Sequence, residues 1–462
     1  MVYLAMQKRL CILVCVMVCF SFICDVKANT TVKGTVSING KRAIAVTDEN
    51  FICATLDWWP SDKCDYGACS WGNSSLLNLD LKNVILLNAI KGALITFGLN
   101  ALNGKTIRRN DSATGPWDTR NAASLIRYTV DKGYNVYGWE LGNELGGRPI
   151  GVGVAPNVYA SDTNALHTLI REIYEGANNN NNNSKNKPLI LAPGGIFESD
   201  WFKRYIAKTK GVLDVITHHV YSLGSGVDEG LIDRIFNASV LDEGANDYKS
   251  LRNILKKSAT STVAWISEAG GVYNSGQDGV TNAFAFSFWY LDQLGIASVY
   301  DTKAYCRQSL VGGNYGLLNT TTFVPNPDYY SALLWHHLMG KYVLSTKFRG
   351  TKSVRAYAHC AKQTQGITIL LINLDGNTTV KVKLDDDRLF GGKDREEYHL
   401  SPMDGNIQSR TVLLNGKALI VDSFGAIPAM EPVRVSFSRP INVRPRSIVF
   451  VHIPGVDTPA CM

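Results

Sequence analysis

Apolar and polar residues follow three successive rhythms along this chain. Between residues 31 and 47, Val32, Val36, Ile38, Ile44 and Val46 flank an Asn39-Gly40 pair. Alternating segments around Asn-Gly predict a β-hairpin. From about residue 48 to residue 342, short apolar runs alternate with helical patterns, which predicts repeated βα units. Leu76, Leu77, Val84, Leu87 and Ile90 mark one helix face. Ala122, Leu125 and Ile126 mark the next, with Asp118 placed to cap its start and Gly133 its end. Leu166, Leu169, Ile170, Ile173 and Tyr174 mark a third, and an asparagine run at 178–183 predicts a polar loop. The runs between helices predict seven strands, at 51–56, 94–98, 136–141, 189–192, 213–217, 263–267 and 296–300. Seven is one short of a closed (β/α)8 barrel, whose loops after the strands carry the active site. From 343 to 462 the helical rhythm stops. Alternating stretches such as 367–372, 378–382 and 433–437 predict an all-β domain, a sandwich.

The first 28 residues read as a signal peptide. Lys8 and Arg9 precede an apolar run at 10–23, and Val26-Lys27-Ala28 supplies the small-residue cleavage pattern. That run is shorter than a bilayer-spanning helix. A secreted or lumenal location follows as an expectation, lysosomal or vacuolar lumen included. Asn29, Asn73, Asn110, Asn182, Asn237, Asn319 and Asn377 open glycosylation sequons, which suits that compartment. Past residue 28, Cys53, Cys64, Cys69, Cys306, Cys360 and Cys461 form an even set, which favours disulfides over metal ligation and leaves the pairing open. The formal charge of +7 falls to about +5 once Lys8, Arg9, Lys27 and Asp25 leave, and the positive charge is scattered. Scattered charge argues against a nucleic-acid partner and is compatible with an acidic polysaccharide.

Two strand ends carry the chemistry. Residues 137–145 read Tyr-Gly-Trp-Glu-Leu-Gly-Asn-Glu-Leu, so an apolar strand delivers Asn143 and Glu144 at its C-terminal end. Residues 263–271 read Val-Ala-Trp-Ile-Ser-Glu-Ala-Gly-Gly, which delivers Glu268, followed by glycines that allow a ligand close approach. A lone Asn-Glu is usually a solvated loop acid. Two glutamates closing non-adjacent strands on one barrel mouth instead predict glycosidic cleavage with retention, the carboxyls about 5–5.5 Å apart. At that separation an ionised nucleophile raises the pKa of its partner, which stays protonated as the acid. Glu140 is expected to support the site. At 217–221, Thr-His-His-Val-Tyr, adjacent histidines point to opposite faces, so they do not share a metal ion, and no third ligand is evident. One histidine is expected in the mouth, and the assignment is His218, with Tyr221. The loop 312–316, Gly-Gly-Asn-Tyr-Gly, lacks the Lys-Ser/Thr of a phosphate loop and offers Tyr315 as a ligand hydrogen-bond donor. No metal or other cofactor is expected, since two carboxylates and water complete the chemistry.

Taken together, Phe97-Gly98-Leu99-Asn100-Ala101-Leu102 and the segments 139–144, 217–221, 265–271 and 312–315 make the chain resemble the plant heparanase-like proteins of glycoside hydrolase family 79. The resemblance runs through nearly the whole chain after the leader. It implies a TIM-type barrel over 48–342 and a sandwich over 343–462, joined by the hairpin at 29–47. It implies Glu144 as proton donor, Glu268 as nucleophile and Asp57 as a substrate-contacting acid. Tyr273, Asn274, Ser275 and Tyr315 fall where family members contact a glucuronate carboxylate, although animal enzymes have glycines at the positions of Asn274 and Ser275. It also implies a departure. Family members carry a second strand, ending in Arg-x-Gly-Gly and followed by a helix, where here Asn88-Ala89-Ile90-Lys91 runs directly into Gly92-Ala93-Leu94. One βα unit of roughly 30 residues is then missing, which leaves an edge open or pairs the first and third strands directly. The expected activity is hydrolysis of β-glucuronidic linkages in a glucuronate-containing polysaccharide or glycoside, heparan-sulfate-like chains included. Peripheral membrane or cell-wall association is a further expectation. The rival is a non-catalytic carbohydrate-binding variant that keeps the fold.

Overall fold

The computed structural model describes residues 30–57, 62, 64, 71–72, 74, 78–180, 187–385 and 390–462. The leader and the sequons at Asn29, Asn73 and Asn182 lie outside them, as do Leu76 and Leu77. In chain order the first elements are β1 (Thr30–Asn39), β2 (Ala45–Val46), β3 (Ile52–Ala54), α1 (Val84–Ile90) and β4 (Thr96–Leu99). Then come β5 (Thr106–Ile107), β6 (Ser112–Thr114), α2 (Arg120–Asp131), β7 (Gly138–Leu141), β8 (Gly153–Val154), α3 (Pro156–Asn180), β9 (Leu189–Ile196), α4 (Ser199–Lys208) and β10 (Val215–Val220). The helical half closes with α5 (Leu231–Ile235), α6 (Ala238–Glu243), α7 (Ala245–Ser258), β11 (Val263–Ala269), α8 (Phe284–Val299), β12 (Thr302–Arg307) and α9 (Pro327–Leu338).

Seven of these strands form one parallel sheet in the order β3-β12-β11-β10-β9-β7-β4. Helices run between successive strands, as parallel crossovers require. Among the described residues β3 and β4 do not pair, so the sheet curves round to an open seam between them. The seam explains an outcome that periodicity alone does not foretell. Val84, Leu87 and Ile90, the expected buried face of α1, are exposed, and Leu86 is buried instead, in a cluster with Leu79, Val311, Leu318 and Phe323. Leu94, Ile95 and Phe97 beside the seam are exposed by 47%, 59% and 37%. Among the described residues no strand pairs with β3 or β4 on the seam side.

The strand expected at 296–300 is the end of α8; the seventh strand is β12. Residues 284–298 of α8 are all buried, and Phe288 and Trp289 share a core with residues of the all-β half. A helix enclosed on every side has no polar stripe, so its apolar tail resembles a strand in sequence. The asparagine run, expected as loop from 178, stays helical to Asn180.

The remaining strands are β13 (Met339–Arg349), β14 (Val354–Ala361), β15 (Gly366–Asn373), β16 (Thr378–Leu384), β17 (Arg395–Pro402), β18 (Val412–Leu414), β19 (Lys417–Ala418), β20 (Val433–Val435), β21 (Ile441–Val443) and β22 (Ser447–Pro454). With β1 and β2 they make a twelve-stranded sheet. Val36 and Ile38 of β1 and Val380 and Val382 of β16 share a core with Ile369 of β15 and Val451 of β22. The 31–47 segment is not a hairpin. Its two strands pair with the same partner, Asn39 opposite Ser345 and Ala45 opposite Val343, so both run antiparallel to β13 and Asn39-Gly40 only interrupts the run. The two halves of the molecule lock through a buried network in which Arg355 Nε and Tyr357 Oη donate to Asp292 Oδ1 at 2.8 and 2.6 Å. Disulfides join Cys53 to Cys306 and Cys360 to Cys461, and Cys64 is also disulfide-bonded. Among the described residues no helix is long and apolar enough to cross a membrane. Asn110, Asn237 and Asn377 are exposed; Asn319 is half-buried.

Candidate active site

The C-terminal ends of the parallel strands surround a cavity of about 2050 Å³. Nine of the ten sequence-expected site residues line it: Asp57, Asn143, Glu144, Tyr221, Glu268, Tyr273, Asn274, Ser275 and Tyr315. Glu144 follows β7 and adopts a left-handed backbone at φ 55°, rare outside glycine, with its N–H donated to the Gly194 carbonyl at 2.6 Å. Strain at a non-glycine residue persists only where surroundings fix it, and such sites are disproportionately functional. Glu268 lies in β11, one strand beyond β10.

The tenth residue, His218, is a correction. It points away from the mouth and packs between Phe197 and Tyr248 at 6.0 and 5.6 Å, with neither ring nitrogen hydrogen-bonded among the described residues. Burial, together with the charge of its neighbour His219, pushes its pKa down to about 3. His219 is the mouth residue, and its Nδ1 lies 3.0 Å from Glu144 Oε1 and 3.8 Å from Glu268 Oε2. The register of β10 against β11 shifts between His218 and His219, where β11 carries one extra residue, Ser267, and Glu268 comes opposite His219. Period-two alternation foretells that one of the two faces the mouth without saying which.

Charge in the mouth is arranged around His219. Burial alone would lower its pKa, but Glu268, Glu144 and Glu140 outweigh that and hold the ring protonated up to about 9. Glu268 is pushed up to about 7, by burial first and by the Asp57 and Glu144 carboxylates, against His219 and a hydrogen bond from Tyr221, which pull it down. The glutamate held up in this way is Glu268, the expected nucleophile. Ligand atoms of Glu144, His219 and Glu268 all lie within 4.8 Å of one another.

Around this core sit residues that the sequence did not single out. Gln308 Nε2 donates to Asp57 Oδ2 at 2.6 Å, and Thr55 Oγ1 donates to Gln308 Oε1. Trp71 Nε1 donates to Ser275 Oγ at 2.8 Å, and its ring meets Tyr315 edge-on at 6.3 Å. Asn274 and Ser275 both take left-handed backbone, φ 62° and 61°, and Ser225 Oγ donates to Asn274 Oδ1 at 2.7 Å. The glycines after Glu268 serve packing, not ligand approach. A Cβ on Gly270 would come within 2.6 Å of the Tyr221 ring, and one on Gly271 within 2.6 Å of Phe286.

A pair of glutamates on a parallel-barrel mouth, each fixed by its own strand and close enough to work on one bond, defines a glycosidase site. Comparisons agree. Residues 33–93 and 91–295 match the model for glycosyl hydrolase family 79, N-terminal domain. Heparanase-like protein 3 of Arabidopsis thaliana is 46% identical, over 96% of this chain and 97% of its own length. Baicalin-beta-D-glucuronidase of Scutellaria baicalensis is 44% identical, over 97% of this chain and 96% of its own. The solved 4-O-alpha-L-rhamnosyl-beta-D-glucuronidase of Fusarium oxysporum, 13% identical, superposes with a TM-score of 0.60 over 90% of this chain and all of that one, a likeness of fold. The chain belongs to glycoside hydrolase family 79.

Proposed function

We propose that this protein is an exported β-glucuronidase that cleaves glucuronides with retention, on a (β/α)8 barrel lacking its second βα unit and carrying a β-sandwich. The observation that carries the reading is the proximity of Glu144, Glu268 and His219 within 4.8 Å. In the reactive form Glu268 is ionised and attacks the anomeric carbon while Glu144 protonates the departing oxygen. Water then releases the sugar from Glu268 with Glu144 as base. His219 lies between the two, and its charge favours the ionised nucleophile. Tyr221 donates to the same carboxylate and orients it.

Two observations support the missing unit. The family match breaks into two segments that meet at residues 91–93. The alignment to the Arabidopsis relative runs over 527 positions while covering 96% of this chain's 462 residues, so roughly 80 positions have no counterpart here. The break falls at the seam. Support for a glucuronide comes from the glucuronidase relative and from Tyr273, Asn274, Ser275 and Tyr315 on the cavity wall. Among the described lining residues Lys91 and Arg148 are the only lysine or arginine side chains, against Asp48, Asp57, Glu140, Glu144, Glu243, Asp247 and Glu268. Such an acid-rich wall favours a glycoside or lightly charged glycan over a densely sulfated chain.

The experiment is turnover of 4-nitrophenyl β-D-glucuronide, with the first-formed anomer read by NMR, for the wild-type chain and Glu268→Gln. Net retention, with loss of at least ~10³-fold in kcat for the variant, is expected. Unchanged turnover in Glu268→Gln, or an inverted product, refutes the mechanism.

A further inference from the structure

We propose that the Cys53–Cys306 disulfide positions Asp57 in the catalytic mouth, and that thiol–disulfide exchange at this bond reversibly weakens substrate binding. β3 is three residues long and stands at the end of the parallel sheet, with β12 as its strand partner and the seam on its other side. Cys53 and Cys306 are directly opposite in the β3–β12 register and are bonded to each other. Four residues beyond Cys53 is Asp57; two beyond Cys306 is Gln308, whose Nε2 donates to Asp57 Oδ2 at 2.6 Å. The covalent tie thus sits at the root of both arms of one hydrogen-bonded pair in the mouth.

Backbone bonds also hold β3, Tyr305 N–H to the Phe51 carbonyl at 2.8 Å and Thr55 N–H to the Arg307 carbonyl at 3.0 Å. They hold one side only. An edge strand opens at lower cost than a strand paired on both sides. The bond closes a loop of 253 residues, the long-loop case in which a cross-link restricts the chain most. Both cysteines line the cavity, which gives a small thiol its path. In the exchange a dithiol reductant is oxidised to its own disulfide as the Cys53–Cys306 S–S bond breaks, and each sulfur leaves as a thiol carrying one proton. Cys360–Cys461 lies in the all-β half and serves as the comparator.

The groups facing Glu268 give the kinetic signature. His219 of β10 and the Tyr221 hydroxyl lower its pKa, while Asp57 and Glu144 raise it. Letting Asp57 drift removes a raising influence, so the acid limb of kcat/KM moves to lower pH. A general loss of folded protein moves no limb. This part rests on the glucuronidase reading; backbone exchange does not.

The test uses the full chain, purified oxidised and then treated with graded dithiothreitol, with the thiols mapped by mass spectrometry. Freeing Cys53 and Cys306 is expected to speed amide hydrogen exchange in residues 51–57 at least tenfold. It should also raise KM for 4-nitrophenyl β-D-glucuronide at least fivefold with a smaller change in kcat, and reoxidation should restore both. Cys53→Ala/Cys306→Ala should reproduce this without reductant, and Cys360→Ala/Cys461→Ala should retain the full response to reductant. Unchanged exchange at 51–57 with both thiols free overturns the proposal, as does an unchanged KM in a wild-type chain that turns over. If the alanine pair does not fold, graded reduction of the wild type still decides. If the oxidised wild type shows no turnover, the glucuronidase reading fails while the exchange measurement still tests the tie.

Discussion

Replacing His219 by asparagine tests the electrostatics of the mouth directly. The imidazolium lies 3.8 Å from Glu268 Oε2. A unit charge at about 4 Å is worth ~4 kcal/mol at an effective dielectric near 20. The Glu268 side chain keeps 18% exposure, and screening through the mouth leaves on the order of 2 kcal/mol. Losing that attraction makes Glu268, already raised to about 7, harder still to ionise. The acid limb of kcat/KM should then move upward by roughly 1.5 pH units, and kcat/KM below the limb should fall about 30-fold. The assay is kcat/KM for 4-nitrophenyl β-D-glucuronide from pH 4 to pH 9. His218→Phe is the control, because that ring sits between Phe197 and Tyr248 and faces away from the mouth; its acid limb should not move. An unmoved limb in His219→Asn, or an equal shift in His218→Phe, refutes the reasoning.

Three further outcomes are expected. Tyr221→Phe removes a hydrogen bond to a carboxylate, worth about 1.5–3 kcal/mol. The kcat should fall ~10–100-fold and the acid limb should rise, because that bond lowers the pKa of Glu268. Arg307→Met strands Asp328 in a buried ion pair of 3.2 Å and should cost about 3–5 kcal/mol in urea unfolding, whereas Arg120→Ala, at an exposed pair, should leave the midpoint in place. Stability should fall from pH 7 to pH 9; below pH 6.5 the lowered pKa values of buried His218 and His359 act in the opposite sense to Glu268. Glu268, raised from 4.5 to about 7, holds its proton more tightly when folded, which favours the fold at low pH and is lost as pH rises to 7. His219, raised from 6.5 to about 9, contributes fully below 6.5 and loses that contribution through 9. Thermal unfolding from pH 7 to pH 9 reads the slope, and a rising midpoint there would contradict the His219 assignment.

What the sequence revealed and what it hid divide along physical lines. Glu144 and Glu268 were legible because each ends an apolar strand, and strand ends in parallel sheets converge. His219 was not separable from His218, because alternation sends one of two neighbours into the mouth without saying which. The seventh strand was misplaced because α8, buried on all sides, carries no polar stripe to mark it as a helix. Gln308 and Trp71 were missed because their partners, Asp57 and Ser275, lie 251 and 204 residues away, a separation that no local pattern encodes. The glycines after Glu268 were read as room for a ligand when aromatic rings occupy that room.

The position of the seam bears on which parts of catalysis it touches. Glu144, His219 and Glu268 come from β7, β10 and β11; in the sheet β10 and β11 pair directly and β9 joins them to β7, with β12 and β4 as the outer neighbours. The seam lies beyond, between β3 and β4. Every strand carrying a reacting group is therefore paired on both sides, and their spacing within 4.8 Å is set by ladders that the seam does not interrupt. The edges carry Asp57, after β3, and the 97–102 segment that begins in β4, both on the cavity wall. An open seam thus acts on how a substrate is held rather than on the reacting pair, and its kinetic mark is a high KM with kcat preserved. A low kcat at saturating substrate, with the Glu144–His219–Glu268 cluster intact, would show that the seam reaches the pair after all.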